Sequence, residues 1–188
     1  MSSRKWIWAV VVILIILLGL WYFGIFNGGA AAPAQSATVN TAANSGAMAS
    51  QNTAIKTDVA TLDAQIATLN TSMSTAAAPT KPQISAIAAN FKAVVATYAK
   101  IFIELRSAAI NTQTSGASVA GIQNALSDLN AQLSNLTSLV GSAAKNTMAT
   151  SSTAATVSAS FKQMQAAQAY NTAARADVQT AVQTLGIK

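Results

Sequence analysis

The sequence predicts an all-α protein in which a single N-terminal transmembrane helix precedes an antiparallel four-helix bundle. Three observations predict it. Residues Trp6 to Phe26 form an uninterrupted apolar run without one charged side chain. Four later segments carry apolar residues at alternating spacings of three and four. Charged residues make up only 9% of the 188-residue chain, against about 25% in an ordinary soluble domain. The hydrophobic share is 52%, but beyond the N-terminus most of it is alanine.

The first element is a short tail, residues 1–5, followed by the apolar segment 6–26. As a helix this run spans ~32 Å, close to the hydrocarbon thickness of a bilayer. Trp6 and Trp8 stand at one end, with Trp21 and Tyr22 at the other, as interfacial belts do. Arg4 and Lys5 precede the run, and no charge follows it until Lys56. That bias holds the N-terminus in the cytoplasm and exports the rest. A cleaved signal, cut near Ala34 in "APAQ", is the alternative; its apolar region would normally be shorter. Either way the C-terminal part is exported. Residues 27–45 are rich in Gly, Ala, Ser, Thr and Asn, uncharged and aperiodic, and read as a flexible tether.

Residues 46–188 read as the bundle, with one hairpin over 46–112 and a second over 117–186. The first seam runs Ile55, Val59, Leu62, Ile66, Leu69, Met73, with Met48 one heptad earlier. Pro79 ends it, and Thr80 with Gln83 resembles a capping box before the next helix. The second seam runs Ile84, Ile87, Phe91, Val94, Tyr98, Ile101, Leu105, Ala108, and Val95, Phe102, Ile103 and Ile110 widen its apolar face. It is the most hydrophobic of the set. The third runs Val119, Ile122, Leu126, Leu129, Leu133, Leu136, Val140, Ala143. The fourth carries Val157, Phe161 and Met164, then Val178, Val182 and Leu185, with Gln168, Asn171 and Arg175 between them on the strict heptad. A small slip to Ala167 and Ala174 would relieve that in part.

The phrases "LDAQIATL" at 62–69 and "LNAQLSNL" at 129–136 suggest that the second hairpin repeats the first. In the partner helices, Phe91-Lys92 and Phe161-Lys162 echo each other at an offset of 70. A monomeric closed bundle is the expected packing, with an open pair of hairpins as its rival.

Chemistry is sparse. The chain has no cysteine and no histidine, which removes thiol chemistry, disulfides and the usual general base. Asp58, Asp63, Glu104, Asp128 and Asp177 are the only carboxylates, none within one helical turn of another, and all are expected on solvated faces. No metal site, cofactor or enzyme activity is expected from them. The net charge of +6 is scattered, with no basic patch, so nucleic acid is not an expected partner. Gln168, Asn171 and Arg175 are the candidate interaction or register residues, because polar groups on a seam can specify pairing. In a closed monomer they would lie at the bundle's edge and reach water.

The layout of an N-terminal anchor and an exported helical bundle is similar to that of the LemA family, and "YNTAAR" at 170–175 resembles a late-helix pattern there. The family's polar pattern after the anchor is missing here, and no function is carried across. The expected function is non-catalytic interaction or assembly at the cell envelope, with the bilayer and either envelope proteins or the chain itself as partners. A secreted adhesin or filament subunit, and a ligand-binding or sensory module working with a separate membrane partner, are the alternatives.

Overall fold

The computed structural model describes residues 41–74, 79–114 and 119–187. The predicted transmembrane segment, with Arg4, Lys5, Trp6, Trp8, Trp21 and Tyr22, lies outside them, as do residues 27–40 of the tether. Among the described residues the protein is all-helical, with four helices and no strand: α1 (Thr41–Ser74), α2 (Lys81–Thr114), α3 (Ala120–Met148) and α4 (Ala154–Thr184). Helix α1 starts at Thr41, so the last five residues assigned to the tether are helical.

Helix α2 is the hub. All eight residues of its predicted seam, Ile84 through Ala108, are buried. It packs on α1, α3 and α4, and α3 packs most closely on α4. The stretch Lys81–Thr112 of α2 is also long and apolar enough to cross a membrane by length and composition. Its apolar seam is taken up by the bundle core. Ile103 and Ile110 do not join that seam: they are 68% and 53% exposed, on a side of α2 that its neighbours leave uncovered.

The termini explain where the helices stop. Gln83 Oε1 accepts from the Thr80 backbone N–H at 2.8 Å, the reciprocal half of a capping box. Thr153 caps α4 by accepting from Thr156 N–H. At the other end Gly186 adopts φ +67°, its N–H donating to Gln183 O while Ile187 N–H reaches Val182 O. This is a Schellman ending, and it returns Ile187 to the core. A Cβ at Gly186 would meet nothing within 4 Å, so Gly186→Ala tests backbone conformation alone. It is expected to cost about 1 kcal/mol and lower the melting temperature by about 2–4 °C. No change in melting would mean that this turn is not formed in solution.

Helix α4 departs from the predicted frame. Its buried series runs Val157, Ser160, Met164, Ala167, Asn171, Ala174, Val178, Ala181, with Phe161 buried beside it, so the slip to Ala167 and Ala174 is the frame the helix takes. Small residues take every second position, which lets α4 approach its neighbours closely. The longer Gln168, Arg175 and Val182 flank that edge at half-burial. The eight buried positions of α2 fall on these eight at an offset of 73. The two echoed phrases share one burial pattern residue for residue, with Leu62 and Leu69, like Leu129 and Leu136, fully buried.

Candidate functional site at the open edge

Three of the four sides of the bundle close by direct helix packing; the side between α1 and α4 does not. On α1 the seam splits accordingly. Ile55, Leu62 and Leu69 face α2 with no exposed surface, whereas Val59, Ile66 and Met73 are half-buried. Between the two helices lies a groove of about 310 Å³, lined by Ile66 and Asn70 of α1 and by Gln168, Asn171, Thr172, Arg175, Ala176 and Gln179 of α4.

All three candidate residues of α4 meet here. Tyr98 of α2 donates its hydroxyl to Asn171, with the backbone carbonyl at 2.9 Å and Oδ1 at 3.0 Å. Asn171 Nδ2 donates to Gln168 Oε1 at 3.1 Å. Gln168 Nε2 in turn donates to Asn70 Oδ1 at 2.8 Å and approaches the Met73 sulfur. Each amide passes the chain on with the correct polarity, so one directional run of hydrogen bonds joins α2, α4 and α1. One turn further along α4, the Arg175 guanidinium grips Asp63 with Nε on Oδ1 at 2.6 Å and Nη2 on Oδ2 at 2.8 Å. That fork fixes orientation as well as distance. The two straps hold α1 at arm's length from α4 and leave the groove between them.

The expectation that these three residues reach water is corrected for Asn171, which is only 2% exposed; Gln168 and Arg175 are half-buried. Asn171 takes the core position because the heptad of small residues points it at Tyr98. Burial, opposed by the nearby Arg175 cation, pushes the Tyr98 hydroxyl above its ordinary range, so it stays a neutral donor. Arg175 Nη1 is buried without a partner.

No protein-family model, no curated protein and no solved structure matches the chain. The resemblance of residues 170–175 to the LemA family is therefore unaccompanied by a family match.

The carboxylates also need correction. Asp58 does not sit on a solvated face: it is 7% exposed, with Lys100 Nζ at 2.8 Å from Oδ1. Asp58 cannot be a bystander to stability, because its partner and its burial are both on the α1–α2 interface. Asp63 is half exposed and tied to Arg175. Asp177 of α4 is pushed up by burial and by Asp128 of α3, so those two acids influence each other across the second hairpin. Spacing along one helix cannot reveal such pairs. Among the described residues no group of three potential metal ligands converges.

Proposed function

We propose that the protein is a non-catalytic, membrane-anchored extracytoplasmic helical protein that acts by protein–protein interaction or assembly at the cell envelope, with the α1–α4 edge as its working surface. One observation carries this reading. The side chains with most chemical character, Tyr98, Asn171, Gln168 and Arg175, are engaged in helix–helix hydrogen bonds. They brace an edge that keeps Ile66 and Met73 half-buried beside a groove. A braced edge with a partly apolar floor suits a docking segment better than a reaction centre. The proposed anchor rests on the run Trp6 to Phe26 and on Arg4 and Lys5 before it.

A photo-reactive amino acid placed at Ala176 or Gln179, both exposed and lining the groove, tests the surface in intact cells. Irradiation is expected to give protein adducts there, and none from the exposed Ser134 of α3. Equal yields at all positions, or none, would remove the groove as the working surface. Protease added to spheroplasts is expected to cut within 27–45 and release the domain; protection there would reverse the orientation.

A further inference from the structure

Along one side of the α1–α2 hairpin, polar side chains meet once per heptad. Asn111 Nδ2 donates to Gln51 Oε1 at 3.1 Å, Thr97 Oγ1 to Gln65 Oε1 at 2.8 Å, and Asn90 Nδ2 to Ser72 Oγ at 3.0 Å. On α1 the series is Gln51, Asp58, Gln65, Ser72; on α2, in the opposite direction, it is Asn111, Glu104, Thr97, Asn90. The antiparallel register therefore sets Asp58 against Glu104 as the remaining rung.

That rung differs in kind. Each of the other three pairs has a donor of its own, whereas two ionised carboxylates have none. Lys100 supplies one cation, but only to Oδ1 of Asp58. Asp58 Oδ2 and Glu104 Oε2 are both buried with no donor to meet them while both acids are ionised, and the Asp58 side chain is only 9% exposed. We propose that the acid–acid rung of Asp58 and Glu104 is a pH-responsive clasp between α1 and α2, closed by a proton held on Glu104. With the proton in place, one carboxyl donates to the other and the ladder is continuous. Without it, two like charges face each other in a poorly solvated interface, and the rung opens.

The charged groups acting on the Glu104 carboxyl are Asp58 from α1 and Lys100 from its own helix. Burial, then the hydrogen bond and charge of Asp58, push Glu104 above its ordinary value, with Lys100 opposing. A carboxyl that binds its proton more tightly when folded stabilises the fold in acid. The contribution is lost as pH rises through the folded-state value. The chain has no histidine, so no imidazole titrates in the neutral range to obscure the effect. Lys100 is itself raised, chiefly by its hydrogen bond to Asp58, and stays charged throughout this window. Asp177 is the other carboxyl held high. The clasp stands independently of what the α1–α4 groove binds.

Glu104 is the only glutamate in the chain, so labelling glutamate with carbon-13 at the side-chain carboxyl gives a single titrating resonance. In the full chain, purified in detergent, its midpoint is expected above the ordinary glutamate range; a midpoint within or below that range overturns the proposal. Thermal unfolding supplies the second measurement, in an Asp177→Asn background that removes the other raised carboxyl. Melting temperature is expected to fall between about pH 4 and about pH 8. Adding Glu104→Gln, whose amide donates as the protonated acid would, is expected to flatten that fall and to raise melting at the alkaline end. Parallel curves with and without Glu104→Gln overturn the clasp.

Discussion

Replacing Leu62 or Leu129 with aspartate is expected to abolish the cooperative thermal unfolding of the bundle. Both leucines have no exposed surface, one on α1 and the other on α3. Losing a buried leucine costs about 2–5 kcal/mol from transfer and cavity terms. A carboxylate without a partner in the same place adds several more, or forces itself to take up a proton. The sum rivals the whole stability of an ordinary domain, roughly 5–15 kcal/mol. Circular dichroism should show helix content lost without a sigmoidal transition. Asp63→Asn provides the contrast: it sits on the same helix but half exposed, so breaking its pair with Arg175 is expected to cost no more than about 1 kcal/mol. A normal melt for Leu62→Asp would mean that α1 does not pack as described.

Asn171→Asp is expected to be the most damaging near-isosteric change in α4, and its effect is expected to depend on pH. Packing hardly changes, but the new side chain loses the Nδ2 that donates to Gln168 and gains a charge at a position 2% exposed. Only the Tyr98 hydroxyl is placed to donate to it. The cost at neutral pH is on the order of 2–4 kcal/mol, from a buried charge with too few donors. Burial favours the protonated acid, which keeps the shape of the amide. The loss is therefore expected to be small in acid and to grow as pH rises through the introduced group's elevated pKa. A pH-independent loss would show that the amide acts only through its volume. Tyr98→Phe, which removes the donor while keeping the ring, is expected to cost about 1–2 kcal/mol without that pH dependence.

How much of this was legible in the chain differs from helix to helix, for a physical reason. In α2 the core positions carry large apolar residues from Ile84 to Leu105, so spacing alone identifies the seam Ile84 through Ala108. In α4 Val157, Phe161, Met164 and Val178 are core residues of the same legible kind, but the core positions between and beyond them are Ser160, Ala167, Asn171, Ala174 and Ala181, where bulk is a misleading guide. A frame drawn through Phe161 and Met164 runs on to Gln168 and Arg175, one residue away from the small edge that faces inward. The three polar residues were visible as an anomaly, but their partners, Tyr98, Asn70 and Asp63, lie on other helices and required the packing. The α1–α2 ladder has a sequence signal of its own: two polar series at heptad spacing, Gln51 to Ser72 and Asn90 to Asn111. Reading those in opposite directions would have set Asp58 against Glu104.

On α1 the hydroxyls of Thr53, Thr57, Thr61, Thr68 and Thr71 each donate to the carbonyl four residues back. Thr172, Thr180 and Thr184 do the same on α4. Hydroxyls turned onto their own backbone leave the γ-methyls to face solvent, on helices with few charges between them. Such a surface offers diffusing molecules little long-range field. Encounter with a partner should proceed in the unsteered regime, about 10⁵–10⁶ M⁻¹s⁻¹, and change little with ionic strength. Productive meetings would then be governed by dwell time at the contact, not by attraction from a distance.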